Sequence, residues 1–441
     1  MKIGLIAMSG VRACDEELLA LGLTLPGFVE RSRTIASLPS LGLLTLAGIT
    51  PRGHEIAYRE VDDVRSLGPD LEAFDLVAIS TFTAQIGEAY ALADRYRAMG
   101  VPVVMGGLHV TTLPDEAAAH CDAVIVGEGE VCWPQVVADA AAGRLQPRYT
   151  SRPREFDFAH APMPAVELLD IDKYNRLTVQ TSRGCPLRCS FCASSILLTP
   201  RYKQKPVEKV LAEIDFICDI WPRPFIEFAD DNSFINRAYW LELLPQLARR
   251  RVRWFTETDI RIGEDDELLR LMRRAGCAEV LIGLESPSEQ GLAGLELRRD
   301  WKLRRLPRYR DAVANIQSHG IRVNGCFIVG LDGHTPAIFD SVYDFAEELD
   351  LFDVQVTLPT PFPGTALYEQ LRRQKRLFEE KPWRRCTLFD LTFTPTPMSA
   401  EELRAGFHDL ARRLYSDAFT RQRRDGFRRH YRAAARARRA S

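Results

Sequence analysis

Three cysteines stand within eight residues of this chain: the stretch RGCPLRCSFC, residues 183–192, places Cys185, Cys189 and Cys192 at intervals of four and three. Gly184 and Pro186 keep the stretch out of a regular helix, so the three thiols can converge on one corner of a metal centre. A structural zinc ion asks for four closed ligands, and no second cysteine or histidine pair stands at a suitable interval. A 4Fe-4S cluster takes one thiolate per iron. Supplying three leaves one iron with an open position, where a substrate or cofactor can coordinate, as at a catalytic metal site. The alternative is three unrelated core cysteines; the glycine and the strand-then-loop context speak against it.

The other seven cysteines, Cys14, Cys121, Cys132, Cys218, Cys277, Cys326 and Cys386, are scattered and read as small buried hydrophobes. The opening MKIGLIAMSGVRACDEELL lacks the charged region, apolar run and cleavage site of a signal peptide. No stretch reaches the roughly 18 uninterrupted apolar residues that a membrane span needs. A cytoplasmic location without integral membrane segments is expected, which argues against a disulfide framework. The formal net charge of −2 gives no hint of nucleic-acid binding.

Elements must position the cysteine loop, and 441 residues suggest two domains and an extension. Over 1–150 the runs KIGLIAM, EIAYREV, LVAIST, VPVVMGG and AVIVGE alternate with helical stretches, which predicts a doubly wound parallel sheet. One helix is clear, since Ile86, Ala89, Tyr90, Ala93 and Tyr96 share a face before Gly100. The loops at the carboxyl ends of such strands bind ligands, and a nucleotide-like cofactor suits them. Residues 151–175 read as a linker. From 176 to 372 six further strand runs, TVQTSRG, PFIEFADD, RWFTETDI, EVLIGLES, RVNGCFIVGL and DVQVTLPTP, alternate with helices. One helix starts at Pro206 with Val207, Val210, Leu211, Ile214 and Ile217 as its apolar stripe. Six βα units predict a partial (β/α)6 barrel, open because two of the usual eight are missing, with its active groups at the carboxyl ends of the strands. Residues 373–441 read as a helical extension whose arginine-rich end, RQRRDGFRRHYRAAARARRAS, is expected to be a solvated helical tail.

CPLRCSFC resembles the C-x3-C-x2-C loop of the radical S-adenosylmethionine (SAM) superfamily, with the aromatic Phe191 just before the last cysteine. The resemblance implies a 4Fe-4S cluster on Cys185, Cys189 and Cys192. Its open iron would chelate the amino and carboxylate groups of SAM, and an electron from the cluster would cleave the sulfonium to a 5'-deoxyadenosyl radical. The radical would take hydrogen from an unactivated carbon. EFADDN and GLES look like that family's cofactor-binding strand ends. By the resemblance Phe191, Asp230, Asp231 and Glu285 are SAM contacts, the aspartates near the methionine amino group and Glu285 at the ribose hydroxyls; each acid could equally be a loop acid or salt-bridge partner. TPFPGTALY, around Gly364, resembles the family's last strand, with no role beyond a turn.

A doubly wound domain ahead of such a barrel is similar to the cobalamin-binding subgroup, through PSLGLLTLAG, VAISTFT, VVMGGLHVTTLPDEA and DAVIVGEGE. The resemblance implies cobalamin contacts at Ser80, Gly106 and Gly107, with Gly127, Glu128 and His109 as further candidates. The D-x-H-x-x-G loop that gives cobalt a lower ligand in many cobalamin proteins is absent after KIGLIAM. His109 could substitute, but is read as a polar loop histidine. A domain that kept the fold and lost the cofactor is the alternative.

The resemblance implies a methyl transfer to an unactivated carbon of a small molecule such as a natural product, lipid or tetrapyrrole. Two other readings share the residues: cyclisation, oxidation or rearrangement without methyl transfer, as in the anaerobic cyclase of bacteriochlorophyll synthesis, and a non-catalytic iron–sulfur sensing protein. KPWRRCTLFDLTFTPTPMSAEEL resembles extensions found in relatives of hopanoid methylation, which implies an apolar substrate. A reductant such as a flavodoxin or ferredoxin is the expected partner, and no nucleic acid.

Overall fold

The computed structural model describes residues 1–21, 38–152, 155–193 and 202–440. Its first sheet holds β1 (Lys2–Met8), β2 (Glu55–Val61), β3 (Leu76–Ser80), β4 (Val103–Gly106), β5 (Ala123–Val126) and β6 (Arg148–Thr150) in the order β2-β1-β3-β4-β5-β6. Every pairing is parallel. Helices cover both faces, which is why the middle strands are near-continuous apolar runs rather than alternating ones. The first five are the expected strands; β6, only three residues long, carried too little pattern to be read.

The second sheet is the expected open barrel. Its strands are β7 (Leu177–Val179), β10 (Phe225–Ser233), β11 (Arg253–Thr258), β12 (Cys277–Glu285), β13 (Arg322–Ile328) and β14 (Asp353–Thr357), all parallel and in sequence order. Between β7 and β10 a short antiparallel pair, β8 (Ser182–Arg183) and β9 (Lys203–Gln204), forms the neck of the cysteine loop. The two anticipated helices run Ile86–Ala98 and Val207–Ile220 and bury the residues named for each stripe. Gly364, at φ +76°, lies past β14 in the turn into the helix Ala366–Arg373, so TPFPGTALY is a strand-to-helix turn rather than a strand.

One apolar cluster runs from Ile3 and Leu5 of the first sheet through the barrel to Phe407 and Phe419, so the two sheets share a core. The C-terminal segment closes the barrel's last edge: Leu358 N–H donates to Leu388 O at 2.7 Å, and Leu377 bridges Phe393. The basic tail is the helix Asp417–Ala440, yet it is not simply solvated. Arg423 is wholly buried, its guanidinium donating to Leu351 O and Leu414 O, while Phe419 and Phe427 pack inward. An arginine that binds the carbonyls ending neighbouring elements is sequestered by geometry that composition does not reveal. Not all scattered cysteines are buried either: Cys14 is exposed, and Cys218 and Cys326 are half-buried. Among the described residues no helix is long and apolar enough to cross a membrane.

Candidate functional site

The three cysteines line one cavity of about 320 Å³ at the carboxyl ends of the barrel strands. Gly184 takes φ +91° where the chain leaves β8, and its N–H donates to Asp231 Oδ2 at 2.6 Å. The loop's far side is fixed by Ser190 N–H to Leu295 O and Leu367 N–H to Ser190 O. Burial raises the Cys185 thiol and pushes Cys189 up to about 12. Among the described residues no three His, Cys, Asp or Glu close tightly around a single ion. Three thiols spread around one cavity instead fit a polynuclear cluster, whose soft irons take thiolate ligands one at a time.

The two aspartates part company. Asp230 is 3% exposed and accepts from Thr181 N, Ser182 N, Thr181 Oγ1 and Ser233 Oγ, so it braces the chain between β7 and β8 without reaching the cavity. Asp231 lines the cavity. Glu285 also lines it, held at φ +63° by a register shift at the end of β12. Lys302 Nζ donates to Glu285 Oε1 and Gly283 O, each at 2.7 Å. Burial pulls that ammonium down, but Glu285 and then Cys189 outweigh it and hold Lys302 above the ordinary lysine range. Phe191 lines the same wall.

Asn232 escaped the sequence reading. Its Oδ1 accepts the Asp259 N–H at 3.2 Å, which fixes the amide's orientation, and its Nδ2 donates to Asp259 Oδ2 at 3.0 Å and lies 3.5 Å from Cys185 Sγ. Arg261 clamps Asp259 through both oxygens. A donor to a ligand sulfur stabilises the more negative, reduced form of a bound cluster. Asn232→Ala should therefore lower the midpoint potential of the reconstituted cluster by about 59 mV, tenfold in a one-electron equilibrium. A redox titration followed by electron paramagnetic resonance checks this, and an unchanged midpoint refutes it.

Deeper in the cavity, Glu257 of β11, Cys326 of β13 and Gln355 of β14 form its floor. Gln355 is 4% exposed, and its Oε1 has no hydrogen-bond partner among the described residues. Burial, then the like charges of Glu227, Asp231 and Glu285, push Glu257 up to about 8. The folded cluster-free protein thus holds a proton that the unfolded chain releases near the ordinary carboxyl range. The stability that Glu257 contributes should be fully present below that range and be lost as pH rises to about 8. Glu257→Gln should abolish this decline and raise the melting temperature of cluster-free protein at pH 9; equal melting curves of both proteins from pH 5 to 9 would contradict it.

A second cavity, of about 360 Å³, lies between the carboxyl ends of the first sheet and the barrel mouth. Ser80, Gly106, Gly107, Gly127 and Glu128 line it, with Leu41, Leu46 and Trp133 as apolar wall. Gly127 is required by the fold: at φ +91°, a Cβ would sit 2.3 Å from Ser151 Oγ. Gly106 is different, because among the described residues a Cβ there meets only Ile125, at 3.6 Å; what its bareness preserves is cavity space. Such a groove, bare where backbone meets it, fits the long nucleotide tail of cobalamin. Glu128 touches the cavity, but Lys203 at 2.7 Å and Arg183 at 3.4 Å engage its carboxylate, clamping the first sheet to the β8–β9 neck. His109 is not a loop residue. It is buried in the short helix Leu108–Thr112, its ring nitrogens 3.4 Å from Thr83 Oγ1 and 3.3 Å from Glu116, and it is absent from the cavity wall. Its desolvation lowers the imidazole's pKa.

Residues 179–346 match the Radical SAM superfamily and residues 36–137 the B12 binding domain. The chain joins a B12-binding domain to a radical SAM domain. Residues 365–441, beyond the radical SAM domain, match a domain of unknown function (DUF4070). The chain is 29% identical to the bacteriochlorophyllide d C-12(1)-methyltransferase of Chlorobaculum tepidum, over 88% of this chain and 84% of that protein. It is 28% identical to the hopanoid C-2 methylase of Rhodopseudomonas palustris, over 78% of this chain and 66% of the relative. The structure of the radical SAM methyltransferase TsrM from Kitasatospora setae, with cobalamin and a [4Fe-4S] cluster bound, superposes with a TM-score of 0.66 at 16% identity, over 99% of both chains. The whole fold, both sheets and the extension, is therefore shared with that protein.

Asn232 adjoins the predicted aspartates and could have been found as the next residue of the same strand end. Arg183, two residues before Cys185, was likewise within reach of the cysteine motif, whereas Lys302, Glu257 and Gln355 carried no such signal, since each enters the site from a different element.

Proposed function

We propose that the protein is a cobalamin-dependent radical SAM enzyme that transfers a methyl group to an unactivated carbon of a small molecule. One observation carries the reading: Asp231 lines both cavities, so the cluster cavity and the groove of the B12-binding domain meet at a single side chain. In this reading Cys185, Cys189 and Cys192 hold the cluster, and Phe191, Asp231 and Glu285 surround SAM. Ser80, Gly106, Gly107 and Gly127 flank cobalamin. Asp230 and Glu128 act through the loop and the interdomain clamp rather than by touching a cofactor. When bound, the cluster supplies the electron that cleaves SAM, and cobalamin carries the methyl group. The chain's own part is to bring the two cofactors to opposite sides of one junction and to exclude water there.

The relatives that act on bacteriochlorophyllide and hopanoid support an apolar, polycyclic substrate, a tetrapyrrole or a lipid. All ten cysteines are free, which suits a reducing compartment, and we place the protein in the cytoplasm.

The test uses anaerobically reconstituted protein. Incubated with hydroxocobalamin, it should keep the cobalamin absorption through gel filtration, whereas Gly106→Leu should fold and lose it. With reductant and methyl-labelled SAM, label should appear in a tetrapyrrole or polycyclic lipid substrate. Deoxyadenosine without labelled product would turn the reading to cyclisation, oxidation or rearrangement. An intact cluster that never cleaves SAM would leave only a sensing role.

A further inference from the structure

An electron must reach the cysteine cavity from outside, and the rate of such a transfer falls steeply with distance. The segment 295–297 runs alongside the cysteine loop. Cys189 forms an antiparallel bridge with Glu296, Ser190 N–H donates to Leu295 O, and Leu297 N–H donates to Arg188 O, both at 2.8 Å. One inter-strand spacing, about 4.8 Å, thus separates the backbone of a cluster-ligand residue from the backbone of 295–297.

This segment faces solvent with an unusual surface. Leu297 is 48% exposed, and Arg298, Arg299, Arg304 and Arg308 are exposed. Among the described residues none of these four guanidiniums is paired with a carboxylate. The acids of the stretch are turned to other work: Glu296 accepts Trp301 N–H, Asp300 accepts Gly294 N–H, and Glu264 is taken by Arg305. Lys302, from the same stretch, reaches inward to Glu285. Part of the segment is thus tied into the site, while its exposed residues bring Leu297 and four arginines without a carboxylate partner among the described residues to the surface of a protein of net charge −2.

We propose that the ridge formed by Leu297, Arg298, Arg299 and Arg304 is the docking surface for a small acidic one-electron carrier protein of the flavodoxin or ferredoxin kind. The inference rests on reading the cysteines as cluster ligands. Transient electron-transfer encounters use small patches of this sort, with an apolar centre and a charged rim that steers the partner in. The ridge offers no exposed aromatic side chain for base stacking, which disfavours nucleic acid.

The experiment compares reconstituted full-length protein with the triple variant Arg298→Glu, Arg299→Glu, Arg304→Glu. With reduced flavodoxin as donor at low salt, cluster reduction by stopped flow should slow by about tenfold or more in the variant. The native rate should fall with added salt and the variant's should not. Iron content and dithionite-driven SAM cleavage should be unchanged, because dithionite needs no docking surface. Equal flavodoxin rates in the two proteins would overturn the proposal. So would tighter binding of a DNA duplex than of flavodoxin, or loss of dithionite-driven cleavage in a triple glutamine variant, which would assign the arginines to folding. If native protein itself fails with dithionite, the cluster reading fails, and that outcome is distinct from the others.

Discussion

Cys189→Ser should leave the chain folded and abolish its chemistry: SAM cleavage should fall to below about a thousandth of the native rate, equivalent to roughly 4 kcal/mol in the barrier. Serine is nearly isosteric with cysteine, and Cys189 in the cluster-free protein is a buried neutral thiol whose pKa is pushed up to about 12. The exchange creates no cavity and strands no charge, so the melting temperature of cluster-free protein should hardly move. What changes is ligation. A serine hydroxyl is a hard, weakly acidic oxygen where iron and sulfide need a soft thiolate. Iron bound after anaerobic reconstitution, the visible charge-transfer absorption and deoxyadenosine release should fall together. Retention of all three in the serine variant would mean that the cluster is held elsewhere.

Asp230→Ala should have the largest effect on stability, about 4 kcal/mol. Removing the carboxylate deprives Thr181 N, Ser182 N, Thr181 Oγ1 and Ser233 Oγ of their acceptor inside the protein, where water replaces it poorly. These groups fix the approach to β8, so the cysteine loop should lose its anchorage along with the barrel's first strand connection. Asp230→Asn keeps an acceptor for the backbone donors and offers its amide nitrogen to the two hydroxyls, so most of the loss should be recovered. Urea unfolding of the cluster-free proteins checks the order native, Asn, Ala. If alanine costs under about 1 kcal/mol, Asp230 is not a structural brace, and a cofactor-binding role for it regains ground.

The cysteine loop was legible because everything it needs is local: three cysteines, a glycine at a left-handed position and a preceding strand lie within a few residues. Apart from the three-residue β6, the strands of both sheets were legible for a related reason, since burial of parallel strands on both faces writes apolar runs directly into the chain. Strand order placed a ligand groove at the carboxyl ends of the first sheet, and the resemblance to the cobalamin-binding subgroup pointed within it to Ser80, Gly106, Gly107 and Gly127, all of which line the cavity there.

What sequence left open was the direction in which neighbouring side chains point and what meets them. Asp230 and Asp231 are adjacent and identical in type, and a register shift in β10 between Phe228 and Ser233 helps set one against the β7–β8 backbone and the other in the cavity. His109 and Glu128 matched their motifs, but Glu116 and Lys203, brought in from other elements, engage them. Glu257, Cys326 and Gln355 became a floor only when three strands aligned, and the arginine tail became half a packed helix only when Leu351 and Leu414 offered it carbonyls. Local pattern fixes what a short segment can do by itself. Ion pairs, cavity floors and buried charges depend on residues far apart in the chain, and only the folded arrangement decides which of them come within a hydrogen bond's reach.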